Sequence, residues 1–118
     1  MHIGDWAILS GFTLVHQFCK IGAHSFSGMG TAIGKDVPAY VMVNGSPAEA
    51  KNINAEGLRR RGFTKEDISV LTKAYKTIYR RGLTLDEALA ELQPQVADCP
   101  ALRVLIDSLN ASTRGIVR

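Results

Sequence analysis

A period of six runs through the first third of the chain. Stepping by six from Ile3 gives Ile3, Leu9, Val15, Ile21, Ser27 and Ile33, aliphatic at five of the six positions. The next column reads Gly4, Ser10, His16, Gly22, Gly28 and Gly34, and the fifth reads Ala7, Thr13, Cys19, Ser25, Thr31 and Val37, all small or β-branched. An amphipathic helix repeats at three and four residues and a half-buried strand at two, so neither accounts for three columns in phase at six. A parallel β-helix does, because each repeat then supplies one short face of a stacked solenoid. The first and fifth columns point into its core, and glycine in the second allows tight corners and close backbone approach.

The repeat register stops after Lys35-Asp36-Val37-Pro38, and Asn44-Gly45-Ser46-Pro47 reads as a turn separating residues 1–45 from residues 46–118. Helical signals take over from there. A short helix is predicted from Asn54 to Arg61, ending at Gly62. A longer one starts at Thr64, capped by its hydroxyl with Asp67 answering three residues on, and carries Ile68, Leu71, Tyr75 and Ile78 as its apolar stripe up to Gly82. Thr84 with Glu87 repeats the pattern for a third helix, which places Leu85, Leu89 and Leu92 on one face and ends near Pro94. A fourth follows Asp98, with Pro100 in its first turn and Leu102, Leu105, Ile106 and Leu109 facing inward. The tail Ser112 to Arg118 is expected to be irregular.

With 118 residues, 46% of them hydrophobic, the chain can bury one ordinary core. Cys19 and Cys99 match no metal or redox spacing and are expected to be reduced and buried. No cluster of His, Cys or carboxylates has ligand spacing, so no metal is expected. The amino terminus lacks a basic region, and no window approaches the ~20 apolar residues of a membrane span, so a soluble protein is expected. Charge is uneven. Between Lys51 and Arg81 nine basic residues face three acidic ones, a local charge of +6 in a chain of net +3, which leaves −3 for the remainder. An acidic or phosphate-bearing partner is drawn to that segment. Nucleic acid is a weak candidate, since the segment has no recognised motif and no interleaved aromatic platform.

Several blocks together carry a family likeness: GFTLVHQFCKIGAH, GKDVPAYVMVNGSPA, NAEGLRRRGF, AYKTIYRRG and the terminal STRGIVR. Over essentially the whole chain they resemble the carboxy-terminal half of the UDP-N-acetylglucosamine 3-O-acyltransferases of lipid A biosynthesis. The resemblance implies a left-handed parallel β-helix of hexapeptide repeats, in which three hexads complete a triangular coil, followed by an all-α carboxy-terminal domain. Six hexads then make about two coils. Stacked repeats bury a continuous core only when several are present and both ends are capped, so the natural protein is expected to continue upstream of Met1.

The resemblance also implies a bacterial cytoplasmic homotrimer that moves a 3-hydroxyacyl group from the phosphopantetheine of acyl carrier protein to the glucosamine 3-hydroxyl, with no cofactor of its own. Such a transfer needs a general base and oxyanion donors. The family's base is a histidine upstream of this sequence, so no catalytic residue is assigned and the chain alone is expected to be inactive. His16 and Gln17 match the pair that touches the sugar. Asn54, Glu56, Arg60 and Arg61 match the nucleotide-contacting motif, where guanidinium groups suit phosphate; a solvated basic helix end is the plainer reading of the same residues. Lys73, Lys76, Arg80 and Arg81 are candidates for docking acyl carrier protein, or else a solvated helix face. Met29 stands at the acyl-chain ruler, one coil above Gly11, and favours a ten-carbon chain over fourteen; Pro47 replaces a histidine found in some relatives. His2 and His24 read as ordinary surface residues. A non-catalytic module binding the carrier protein and the nucleotide sugar is the alternative function.

Overall fold

The computed structural model describes residues 2–113 and 115–118, so expectations touching Met1 and Arg114 lie outside the described residues. Six two-residue strands fall on the hexads: β1 (His2–Ile3), β2 (Ile8–Leu9), β3 (Leu14–Val15), β4 (Lys20–Ile21), β5 (Phe26–Ser27) and β6 (Ala32–Ile33). Each of the first three pairs in parallel with the strand three places on, as His2↔Lys20, Ile8↔Phe26 and Leu14↔Ala32. Partners therefore stand three hexads apart, and the chain turns a corner between consecutive strands. The inward columns become buried once a second turn covers them: Ile21, Ile33, Cys19, Ser25 and Thr31 are all at most 3% exposed, whereas Ile3 is 45% exposed.

The corners explain the fifth column. The N–H groups of Thr13, Ser25 and Thr31 donate to the carbonyls of Ser10, Gly22 and Gly28 at 3.2, 3.4 and 3.3 Å. Their hydroxyls donate to the same three carbonyls at 2.6, 2.7 and 2.5 Å. A turn of this kind needs positive φ at its third residue. That residue is Trp6, Phe12, Phe18, His24 and Gly30 in turn, with φ of 61°, 59°, 69°, 58° and 74°. Four of the five are bulky rings, which leave the corners pointing outward.

Beyond Asp36 the spacing contracts by two residues: Val37 bridges Ile21, and β7 (Val41–Asn44) lies parallel to β5 as Phe26↔Met42. Strand β8 (Glu49–Ile53) then folds back antiparallel on β7. The segment after residue 45 is thus not all-helical, because the turn read as a separator is a hairpin turn that keeps two strands paired. Alternation explains the hairpin, since Val41, Val43 and Ile53 are buried and Asn44, Glu49 and Lys51 are exposed.

Four helices follow: α1 (Ala55–Arg60), α2 (Lys65–Tyr79), α3 (Leu85–Leu92) and α4 (Ala101–Ala111), with a 3₁₀ turn at Gln93–Gln95. Thr64 Oγ1 caps α2 by accepting from the Asp67 N–H at 3.1 Å, but Asp67 does not complete a capping box. Its carboxylate is a methylene shorter than that of Glu and accepts from Cys99 Sγ instead, at 3.5 Å. Thr84 and Glu87 do complete one. Pro100 sits at the cap of α4 rather than in its first turn. The tail is not merely irregular. Asp36 N–H donates to Gly115 O and Val117 N–H to Asp36 O, at 3.0 and 2.8 Å, and Ile116 and Val117 are buried. The returning tail satisfies backbone groups that the solenoid leaves open at this corner.

One continuous core joins the two parts, running from Ile21 and Ile33 through Tyr40 and Val43 to Leu58, Leu71, Ile78 and Leu105. Each fully buried Leu or Ile contributes about 1.5–3 kcal/mol. The ion pairs among the described residues join exposed side chains, and such pairs contribute about 0–1 kcal/mol. Apolar burial therefore fixes the helices on the solenoid.

Candidate functional site

Successive turns stack their positive-φ residues at one corner. The rings of Trp6 and His24 are 6.5 Å apart and those of His24 and Tyr40 5.6 Å, with interplanar angles of 15° and 17°. Phe63 meets His24 and Tyr40 edge-on at 5.2 and 5.9 Å. Arg61, which ends α1, lays its guanidinium carbon 5.6 Å from the centre of the Trp6 ring. Its Nη1 is 3.1 Å from His24 Nδ1. A guanidinium can only donate, so His24 Nδ1 accepts and the neutral ring carries its proton on Nε2. Burial first and the Arg61 charge second hold the His24 pKa below its ordinary value, against an opposing pull from Asp5.

His24 is therefore not the ordinary surface residue that the sequence suggests. The signal that finds it is the fourth hexad column, Trp6, Phe12, Phe18 and His24, whose run of four aromatic rings none of the other five columns shares.

Asn54 is 8% exposed. Its N–H donates to Tyr40 O at 2.7 Å, its Oδ1 accepts from Gly57 N–H at 3.3 Å, and its Nδ2 donates to His24 O at 3.2 Å. These bonds start α1 and tie it to the aromatic corner. Glu56 is exposed and pairs with Arg59 and Arg60 at 3.1 and 3.4 Å. The Arg59 hydrogen bond, then the charges of Arg60 and Arg59, hold its carboxyl below the usual range. Asn54, Glu56, Arg60 and Arg61 thus come together on α1 and its two ends, with the Arg61 guanidinium beside the stacked rings and that of Arg60 paired with Glu56.

The other candidates lie elsewhere. His16 and Gln17 are both exposed in the turn after β3, with His16 Nδ1 3.0 Å from Gln17 O. His16 borders an open cleft of about 440 Å³ shared with Leu14, Ile33, Gly34 and Pro47. Met29, in the turn after β5, is 74% exposed. Its Cγ is 4.0 Å from where a Cβ on Gly11 would stand. His16–Gln17, Met29 and the α1 group occupy three different corners of the coil, and a single chain does not gather them. On α2, Lys73, Lys76 and Arg80 share an exposed face, while Arg81 is drawn to Glu91 on α3. Among the described residues no group of three or more His, Cys, Asp or Glu is placed to hold a metal ion, and no helix is long and apolar enough to cross a membrane.

The family model described as UDP-N-acetylglucosamine O-acyltransferase, domain 2, matches residues 36–117. An acyl-[acyl-carrier-protein]--UDP-N-acetylglucosamine O-acyltransferase of Pseudomonas fluorescens is 65% identical over the full 118 residues, which cover 46% of that relative. The enzyme of the same name from Pseudomonas syringae pv. syringae is 64% identical with the same coverage. Among solved structures, the UDP-N-acetylglucosamine O-acyltransferase of Moraxella catarrhalis matches 99% of this chain with 46% of its own, at 49% identity and a TM-score of 0.97. LpxA from Acinetobacter baumannii matches the same shares at 48% identity and a TM-score of 0.96. The chain spans about half the length of the curated relatives it matches. With the family model covering most of the chain and its near relatives alike from end to end, this protein belongs to the UDP-N-acetylglucosamine O-acyltransferase family.

Proposed function

We propose that this chain is part of an acyltransferase that moves a 3-hydroxyacyl group from acyl carrier protein to the 3-hydroxyl of UDP-N-acetylglucosamine, the first step of lipid A biosynthesis. The observation that carries the reading is the 65% identity over all 118 residues with a relative named for that donor and that nucleotide sugar. In the reaction the sugar oxygen attacks the thioester carbonyl, the new C–O bond forms and the C–S bond breaks. A general base takes the hydroxyl proton, which returns to the phosphopantetheine thiolate, while oriented donors stabilise the oxyanion. No residue of this chain is assigned as that base, and the chain by itself is expected to be inactive.

The proposed assembly is a homotrimer of left-handed β-helices, about two coils of which lie in residues 1–45, with residues 46–118 as the carboxy-terminal domain, in the bacterial cytoplasm. A site shared between neighbours suits the geometry. The candidate residues sit at three corners of one coil, and a neighbouring subunit can set one corner against another. Arg60 and Arg61 take the diphosphate, Asn54 and Glu56 shape the nucleotide seat, His16 and Gln17 meet the sugar, and Met29 limits the acyl chain. Lys73, Lys76, Arg80 and Arg81 face acyl carrier protein. Titration calorimetry with UDP-N-acetylglucosamine tests this: saturable binding is expected, weakened about tenfold or more by Arg61→Ala, the scale of one charge-assisted contact. No saturable binding, or an affinity indifferent to Arg61→Ala, overturns the reading.

A further inference from the structure

We infer that His24 is a positioning residue, whose neutral imidazole holds the Arg61 guanidinium against Trp6 and so presents fixed donors to the diphosphate of a nucleotide sugar. The inference rests on the function proposed above and adds to it a residue and a pH dependence. An unrestrained arginine samples many rotamers, and a ligand that must order it loses affinity. Arg61 is restrained twice, by the Trp6 ring 5.6 Å beneath it and by His24 Nδ1 at 3.1 Å. Neither partner neutralises it. The carboxylate nearest in sequence, Glu56, is engaged by Arg59 and Arg60, and no ion pair among the described residues involves Arg61. The result is a cation that is ordered without being spent.

His24 is itself held on every side. Its N–H donates to Asp5 O at 2.8 Å, its carbonyl accepts from Asn54 Nδ2 at 3.2 Å, and its ring lies between Trp6 and Tyr40 with Phe63 at the edge. The contact with Arg61 exists only while the imidazole is neutral, because protonation turns Nδ1 into a donor and sets two cations face to face. The ionisable groups around the ring are Arg61 from α1, Asp5 from the preceding turn and Tyr40 from the following one. Tyr40 stays neutral, since burial pushes its phenol up to about 12 and its hydroxyl donates to Ala101 O at 2.8 Å. The seat is therefore intact at neutral pH and comes apart as pH falls below the ordinary histidine range.

The test is titration calorimetry of the assembled protein with UDP-N-acetylglucosamine, whose diphosphate diester lacks the second ionisation, near pH 6, of a terminal phosphate. Affinity is expected to fall about tenfold between about pH 7.5 and about pH 4.5, since an imidazole whose pKa is held below its ordinary value takes up its proton only below the usual histidine range. His24→Phe keeps a ring in the stack but has no acceptor; it binds about tenfold more weakly at neutral pH, with little further loss in acid. His24→Asn offers an amide oxygen near the place of Nδ1 and suits a positive φ; it retains affinity at neutral pH and loses the acid dependence. An unsubstituted protein with equal affinity at both pH values, or a His24→Phe protein matching it at both, overturns the inference. Should His24→Phe fail to fold, the imidazole titration followed by NMR decides. The His24 pKa is expected to rise in Arg61→Met, and an unmoved pKa overturns the contact. Absence of binding by the unsubstituted protein at every pH overturns the proposed function itself, whereas binding that ignores His24 overturns only this inference.

Discussion

Gly22 and Gly34 occupy the same column of the repeat, yet alanine at the two positions is predicted to move stability in opposite directions. A Cβ on Gly22 would stand 2.3 Å from Ala39 N, 2.6 Å from Ala39 Cα and 2.6 Å from Pro38 C. All three are backbone atoms, so no side chain can swing aside. The two turns must part by about 1 Å, overpacking that costs about 1–3 kcal/mol. The same movement stretches the bonds from Gly22 N–H to Val37 O and from Tyr40 N–H to Ala23 O, now 2.8 and 2.9 Å, each worth about 1 kcal/mol. The sum is about 3–5 kcal/mol, a large share of the 5–15 kcal/mol, roughly, by which domains are stable. Among the described residues, nothing lies within 4 Å of where a Cβ on Gly34 would stand, and its φ is not positive. Alanine there restricts the unfolded chain and stabilises by about 0.4–1 kcal/mol. In urea, with a slope of about 2 kcal/mol per molar, Gly22→Ala should lower the midpoint by about 2 M and Gly34→Ala raise it by up to about 0.5 M. Midpoints within about 0.3 M of each other would refute the reasoning, since they would mean that close approach does not distinguish the two positions.

Two further outcomes follow from single contacts of Met29 and Tyr79. Met29→Gly, in an enzyme carrying the family's complete set of coils, is expected to accept longer acyl chains than the parent, because an exposed methionine packed above Gly11 is replaced by open space; an unchanged chain-length profile by mass spectrometry of the products would count against the ruler. Tyr79→Phe removes the hydroxyl that donates to Val117 O at 2.8 Å, which should cost about 1–2 kcal/mol and speed hydrogen exchange at the Val117 amide. Unaltered exchange there would mean that the tail is held without the tyrosine.

What could be read from the sequence shares one property: its determinants lie within a few residues of one another. The repeat columns, the capping box of Thr84 and Glu87, and the basic pair Arg60–Arg61 beside α1 are all set by local geometry. Where a local rule met a distant partner, the partner prevailed, as when the Asp67 carboxylate turned from its own helix cap to Cys99. Exposure of Lys73, Lys76 and Arg80 follows from the stripe on α2, but the engagement of Arg81 by Glu91 depends on how α3 packs. The aromatic column was present in the sequence as a pattern, without any indication of what its members touch.

Sequence alone therefore determined the solenoid, the helices and the family. Tertiary structure decided that β8 pairs across the turn after residue 44, that the tail returns to Asp36, that Asn54 is spent on internal bonds, and that His24 meets Arg61 from 37 residues away. Periodicity and caps are short-range interactions that each segment satisfies by itself. Which backbone atoms an added Cβ would strike, and which guanidinium an imidazole accepts from, exist only once separate turns are stacked and apolar burial has fixed the helices against them.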